Sequence, residues 1–135
     1  MSSVKFIFIK FLIFTFLFAG CCHSKINIVG ADKDIHGCIG SAGYQWSEIR
    51  KECIRSFELP LQLLNSDKTF IASFLFSENK NQAEVFSKEG NFILELINPL
   101  LYKYSKKGKV FILINVNGEW QFSDAEKHFV YNQVK

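Results

Sequence analysis

The chain has 135 residues, which is enough for one globular domain and too few for two. Its formal charge of +3 includes Lys5 and Lys10, and without these two lysines 14 basic side chains face 13 acidic ones. A nearly neutral domain lacks the basic surface that nucleic-acid binding requires, which argues against nucleic acid as a partner.

The first 20 residues have the three-part form of a secretory signal. A lysine-bearing start precedes an apolar stretch at 11–18, and the small residues Ala19 and Gly20 follow it. The apolar stretch is shorter than the roughly 20 residues that a membrane-spanning helix needs. We therefore predict that residues 1–20 are a signal helix that directs export and is then removed.

The segment Leu17-Phe18-Ala19-Gly20-Cys21 resembles the lipobox of bacterial lipoprotein precursors, although Phe18 stands where a smaller residue is usual. The resemblance implies that the thiol of Cys21 carries a diacylglyceryl group with palmitate-like acyl chains. Several acyl chains give lasting attachment to a membrane. The alternative is an ordinary cleaved signal with an incidental cysteine, and Cys22 has no predicted role.

The domain organisation follows from this leader. Residues 21–34 are polar and mixed, which favours a flexible tether, and residues 35–135 form a single β-rich domain. We expect the protein in the cell envelope, lipid-anchored to a bacterial membrane. The outer membrane is favoured, with the domain facing the periplasm or the cell exterior.

Cys38 and Cys53 are predicted to form a disulfide bond. Export places them in an oxidising compartment, and the closed loop of about 15 residues contributes up to roughly 3 kcal/mol in the chain-entropy model. Zinc is the competing interpretation because His36 stands near Cys38. However, the chain has no Cys-x-x-Cys pair, and its other histidines are remote in sequence. We therefore predict no metal and no cofactor.

Residues 44–57 allow two interpretations. Tyr44 and Trp46 alternate with polar residues, and so does the run at 54–57, which predicts two strands joined by the polar turn 48–52. A helix over residues 47–57 also fits the apolar spacing. The hairpin is favoured because three glycines precede the aromatic pair as turn residues.

The segments GCIGSAGYxWS at 37–47 and CIR at 53–55 resemble a motif of small uncharacterised bacterial lipoproteins. The resemblance implies a fixed structural module followed by a variable β-rich remainder, and it implies no activity. Ser41 lies in Gly-Ser-Ala-Gly, which is not the Gly-x-Ser-x-Gly elbow of a nucleophilic serine. The glycines are better explained as turn residues beside the disulfide.

Alternating apolar residues and polar turns predict a series of strands after residue 69. The expected strands lie at 70–76, 83–87, 92–97, 100–104, 110–116, 119–123 and 129–132. Residues 58–66 are expected to form a brief helical turn. The fold class is therefore all-β: an antiparallel meander of six or seven strands, closed as a small barrel or folded as a sandwich, with a signal helix and a disulfide-stapled hairpin.

The Asn117-Gly118 turn sets the register of one hairpin. Asn-Gly favours a two-residue type I′ turn, which places Val116 opposite Glu119 and Leu113 opposite Phe122. One face of this hairpin is expected to be buried, and it carries Phe111, Leu113, Trp120 and Phe122.

No arrangement of residues predicts catalysis, so the chain is not expected to be an enzyme. His36 and His128 are isolated in sequence, and a cross-strand pair such as Glu84 and Glu95 is unspecific. We expect an envelope lipoprotein with a binding or structural role, whose partners are the membrane, through the lipid on Cys21, and an envelope protein. The alternative is a hydrolase inhibitor, because its size, lipidation and late hairpins are similar to those of membrane-bound inhibitors of c-type lysozyme.

The lipid anchor is tested by Cys21→Ala. The substitution removes the thiol that would be acylated, so we expect loss of fatty-acid labelling and accumulation of the unprocessed precursor. Metabolic labelling with a palmitate analogue and the mobility of the chain in gels measure both effects. Unchanged labelling in the variant would contradict lipidation at this residue.

Overall fold

The structure is a computed structural model, and it describes residues 32–133. The predicted signal helix, Cys21 and Cys22 lie outside the described residues. Within 32–133, no helix is long and apolar enough to cross a membrane.

Eight antiparallel strands form a closed barrel, preceded along the chain by a hairpin of β1 (Tyr44–Ser47) and β2 (Glu52–Arg55). Consecutive barrel strands are hydrogen-bonded neighbours, and the last strand pairs with the first, which leaves no free sheet edge. The predicted antiparallel β fold is thus confirmed, with the barrel as its form. The strands are β3 (Leu61–Asn65), β4 (Ile71–Phe76), β5 (Gln82–Ser87), β6 (Gly90–Asn98), β7 (Leu101–Lys106), β8 (Lys109–Val116), β9 (Glu119–Asp124) and β10 (Val130–Gln133).

The turn between β8 and β9 has the predicted register. Val116 lies opposite Glu119 and Leu113 opposite Phe122. Asn117 and Gly118 adopt φ values of 54° and 89°, the left-handed conformation that a type I′ turn requires. Leu113 and Phe122 are fully buried, so the local chemistry of one dipeptide correctly sets the face that enters the core.

The prediction of a helical turn over 58–66 is wrong. A short 3-10 turn occupies Ser56–Glu58, but residues 61–65 form β3, which lies between β4 and β10 and closes the barrel. Leu63 of this strand is fully buried opposite Ala72. Five residues with a mixed pattern do not specify a strand by themselves, and pairing with two distant strands decides the conformation.

Aromatic side chains fill the barrel interior. Phe122 lies at the centre of this packing, with its ring centroid 5.3 Å from that of Phe74 and 5.9 Å from that of Tyr131. An eight-stranded barrel is just wide enough for side chains to fill it. The buried interior cluster comprises Leu63, Ala72, Phe74, Ala83, Val85, Leu94, Tyr102, Phe111, Leu113, Phe122 and Tyr131.

Residues 32–60 form a separate unit, here called the hairpin module. Strands β1 and β2 pair with Trp46 opposite Cys53, so the hairpin interpretation of residues 44–57 is correct and the helix is not formed. Cys38 and Cys53 are joined by a disulfide, as predicted. The covalent bond ties the loop before β1 to strand β2.

The hairpin module covers the outer face of β4 and β5. Leu75 and Phe86 point outward from these strands and are buried against Ile54 and Leu59 of the module. This contact forms a second apolar core on the outside of the barrel wall. Burial of such side chains contributes about 25 cal/mol per Å² of apolar area, but it is non-directional and does not specify one position of the module.

The carboxylate of Glu84 supplies the directional contact between module and barrel. Glu84 is only 2% exposed, and its oxygens accept hydrogen bonds from the Ser47 hydroxyl at 2.6 Å and from the backbone N–H groups of Glu48 and Ile49 at 2.8 and 3.3 Å. The suggested pair of Glu84 with Glu95 is not formed. Instead Glu84 lies opposite Ile93, and Glu95 lies opposite Gln82.

Replacing Glu84 by glutamine should destabilise the fold. The amide keeps one acceptor oxygen but directs an N–H₂ group at buried donors, and an unsatisfied buried polar group of this kind costs about 1–3 kcal/mol. We expect the free energy of unfolding in urea to fall by that amount. Glu95→Gln is the matched control: Glu95 is exposed, so its change should stay within about 0.5 kcal/mol. Equal effects of the two substitutions would contradict the role of Glu84.

Candidate functional site

A groove runs along the seam between the hairpin module and the outer wall of β5 and β6. Its volume is about 430 Å³. We call it the seam groove. The side chains used below line it: Asp32, Asp34, His36, Trp46, Glu48 and Asn91.

A stacked pair of rings forms the aromatic part of the seam groove. The rings of His36 and Trp46 lie 4.3 Å apart between centroids and are parallel within 5°. His36 is exposed, whereas Trp46 is partly buried in β1. The stack therefore offers an accessible imidazole supported on an indole.

The loop before β1 positions His36 by means of Asp34 and the disulfide. The Asp34 carboxylate accepts hydrogen bonds from the backbone N–H groups of His36 and Cys38, both at 2.9 Å. Cys38 is bonded to Cys53, and Cys53 lies opposite Trp46 in the hairpin. The disulfide thus brings the loop that carries His36 to the strand position of Trp46.

Carboxylates give the seam groove a negative character. Hydrogen bonds from the backbone and hydroxyl of Ser41 hold the pKa of Asp32 below its ordinary value. A hydrogen bond from Lys51, 2.7 Å away, lowers the pKa of Glu48 in the same way and outweighs a smaller opposing effect of burial. Both groups are therefore charged at neutral pH, and the ammonium of Lys51 balances the charge of Glu48 in a salt bridge. His36 is the one basic side chain among the described lining residues.

This arrangement provides contacts for a bound ligand. The Ser41 hydroxyl donates to the Asp32 carboxylate at 2.9 Å, so it helps to hold the loop. A planar aromatic stack flanked by charged carboxylates suits a ligand group that is cationic or donates hydrogen bonds. Among residues 32–133, no three histidine, cysteine or acidic side chains are grouped so that they could hold a metal ion.

A second polar cluster lies at one mouth of the barrel. The Nδ1 atom of His128 is 2.6 Å from a carboxylate oxygen of Asp124, and its Nε2 atom is 3.2 Å from one of Glu126. The hydrogen bond that His128 donates to Asp124 and the charges of both carboxylates raise the pKa of His128. Burial acts to raise the pKa of Asp124, but the hydrogen bonds with His128 outweigh it and the net shift is downward.

The sequence predicted part of these sites. The disulfide of Cys38 and Cys53 is confirmed, while Cys21 lies outside the described residues. The interpretation of His36 and His128 as isolated residues is wrong, because each has a close partner. The four-residue spacing of Asp124 and His128 was a usable signal. No sequence signal indicated the stack of His36 on Trp46, because this stack depends on the disulfide and the hairpin register together.

Comparison with known proteins finds no relative of this chain. No protein-family model, no curated protein and no solved structure matches the chain. The sequence and the geometry of the described residues are therefore the features that indicate function.

The His128 cluster predicts a specific pH dependence. Because the folded-state pKa of His128 is raised above 6.5, its contribution to stability is complete below that pH and is lost as the pH rises through the raised pKa. Because the pKa of Asp124 is lowered, the same pair also weakens as the pH falls below about 3.8. NMR titration of the His128 ring should give a pKa above 6.5 that moves down towards 6.5 in Asp124→Asn. An unshifted value in the unsubstituted protein would contradict the contact.

Proposed function

We propose that the chain is a lipid-anchored protein of the bacterial cell envelope that binds an envelope partner in the seam groove. The observation that carries the proposal is the coincidence, in one groove, of an exposed aromatic stack and charged carboxylates. The leader and Cys21 are the features that support export and attachment to a membrane. The membrane would be the outer membrane, with the domain in the periplasm or at the cell exterior.

The construction of the groove favours binding over a purely structural role. The disulfide fixes the loop that bears His36, and the three hydrogen bonds to Glu84 fix the module on the barrel. A preorganised site loses less conformational entropy when it binds. The filled barrel interior also supports the outer wall as the place where a partner is bound.

The partner should present a cationic or hydrogen-bond-donating group to the groove. Asp32 is held in the charged form by Ser41, whereas the charge of Glu48 is shared with Lys51. The Asn91 side chain, which donates to Gln45 at 3.2 Å, adds a neutral polar group at the barrel side. A lysine or arginine side chain, or a free amine, on an envelope protein combines charge with an aliphatic stem that could lie on the ring stack.

Crosslinking in intact cells tests the proposal without a prior guess at the partner. The full-length chain with a C-terminal tag is expressed, crosslinked and recovered, and co-recovered proteins are identified by mass spectrometry. His36→Ala removes the exposed half of the ring stack, so we expect recovery of the specific partner to fall by about tenfold, as for a central binding residue. His128→Ala, at the barrel mouth, is the matched control and should leave recovery unchanged.

The unfolding midpoint of His36→Ala separates a binding defect from a folding defect. His36 is exposed, so we expect the midpoint to stay close to that of the unsubstituted chain. Equal recovery of the same partner by both variants would overturn the seam groove as the site. Lysozyme activity measured in parallel tests the inhibitor alternative: inhibition that survives His36→Ala but is lost on substitution in one turn would favour that alternative.

A further inference from the structure

Four exposed aliphatic side chains lie at one end of the barrel. They lie where β6 ends, in the turn to β7 and at the end of β8, and we call them the aliphatic rim. Asn98 pairs with Leu101, and the backbone N–H of Asn115 donates to the carbonyl of Leu100 at 2.8 Å, which joins the three segments. The rim comprises Leu96, Ile97, Leu100 and Val116, exposed by 37%, 59%, 55% and 42%.

The opposite end of the barrel carries most of the lysines. In an antiparallel meander, successive turns alternate between the two ends, so the turns after β3, β5, β7 and β9 share one end. Each of these turns, with its flanking strand residues, has at least one lysine. Among residues 32–133, none of these lysines forms a salt bridge with a described residue. These lysines are Lys68, Lys88, Lys106, Lys107, Lys109 and Lys127. The two ends of the barrel thus differ. One carries the aliphatic rim beside the polar turn at 77–81, and the other carries these six lysines together with four acidic residues and the exposed Phe70 and Ile71.

The shape and composition of the aliphatic rim fit a lipid surface better than a protein. Its side chains stand on a turn and at the strand ends beside turns. None of the four lines the seam groove or the cavity beside His128 at the other mouth of the barrel. Binding centres in protein interfaces are enriched in tryptophan, tyrosine and arginine, whereas leucine and valine are under-represented. A fluid bilayer surface accommodates convex aliphatic tips without a complementary pocket.

Trp120 supports the assignment of the aliphatic rim to a lipid surface. It belongs to β9 just after the Asn117-Gly118 turn, so it lies at the same end as the aliphatic rim. Its partly exposed ring contacts Phe76 and Tyr102, with centroids 5.6 and 6.0 Å away. Tryptophan is enriched where membrane proteins meet the headgroup region, because its ring is apolar and its N–H is polar.

The tether reaches far enough for the aliphatic rim to meet the membrane. Residues 22–31 separate Cys21 from the first described residue, and ten residues span at most about 35 Å when extended. The chain enters at Asp32, which lines the seam groove together with Ile93. Ile97 lies four residues further along β6, or about 13 Å at the rise of a strand.

We propose that the aliphatic rim docks on the surface of the bilayer that holds the lipid of Cys21, with the lysine-rich end directed away from it. This inference rests on the proposed lipid anchor. Glu119 lies opposite Val116, and Glu95 lies two residues before Ile97, so the insertion is shallow. Carboxylates enter hydrocarbon at high cost, and only the aliphatic tips pass the headgroups.

Tryptophan quenching by brominated lipid tests the docking. The full-length chain, purified in acylated form, is reconstituted into phosphatidylcholine vesicles whose acyl chains are brominated near the headgroup. The chain has two tryptophans, so Trp46→Phe leaves Trp120 as the reporter and Trp120→Phe leaves Trp46. We expect emission of Trp120 to fall about twofold, because an interfacial element lies roughly 5–10 Å into the headgroup region, while emission of Trp46 stays unchanged.

Substitutions at the two ends provide the matched comparison. Ile97→Ser with Leu100→Ser should abolish the quenching of Trp120, whereas Lys106→Ser with Lys107→Ser should leave it intact. Quenching that persists without the aliphatic residues, or that requires the lysines and vanishes in high salt, would overturn the proposal. Crosslinked dimers that form without quenching and disappear in the Ile97→Ser, Leu100→Ser variant would assign the rim to a second copy of the chain instead.

Vesicle flotation separates failure of docking from failure of the anchor. A chain that floats with the vesicles but shows no quenching of Trp120 is anchored and not docked, which contradicts the rim proposal alone. If the chain purified from bacterial membranes carries no lipid and does not float, the proposed lipid anchor is contradicted. Docking of the aliphatic rim is then contradicted with it.

Discussion

The arrangement of this domain depends on one buried carboxylate. Glu84 points outward from β5 into the contact with the hairpin module, where its charge would cost several kcal/mol without hydrogen-bond partners. The last residue of β1, Ser47, and the turn residues Glu48 and Ile49 provide three donors. The apolar contacts of Leu75 and Phe86 alone would tolerate sliding of the module, because burial of apolar area is non-directional. The hydrogen bonds to Glu84 therefore determine where the hairpin module sits on the barrel wall.

The position of the seam groove follows from that choice. Trp46 immediately precedes Ser47, so fixing the Ser47 hydroxyl on Glu84 also fixes the indole ring beside β6. The disulfide then acts at the other side of the module, where Cys38 brings the loop bearing His36 to the strand opposite Trp46. A polar contact and a covalent bond thus define the two halves of the ring stack. Neither one would form the groove without the other.

The features that sequence reasoning predicted correctly are those with local causes. The Asn117-Gly118 dipeptide specifies its own turn and register, and the alternation of Tyr44 and Trp46 specifies a strand. The pairing of Cys38 with Cys53 was predicted from expected export to an oxidising compartment and from the loop of about 15 residues that they enclose.

The features that sequence reasoning missed depend on distant parts of the chain. Strand β3 exists because β4 and β10 lie on either side of it, and its own five residues carry no clear pattern. Glu84 occupies an outward position on its strand, which suggests solvent, whereas the module covers it. A signal was present nonetheless: Leu75 and Phe86 place apolar residues on the outer face as well, which indicates a covered wall.

The proposed lipid on Cys21, ten residues before the first described residue, would limit how far the domain moves from a membrane, but it would not set how the domain is turned. Orientation needs a second contact, and the two ends of this barrel differ enough in chemistry to provide one. The seam groove lies on the side wall against β5 and β6, between the aliphatic rim and the lysine-rich end. Docking by the aliphatic rim, as proposed above, would leave the groove open to the aqueous side and facing along the membrane. A partner in the same envelope layer would then approach laterally, and the proposed anchor would raise the effective concentration of groove and partner in that plane.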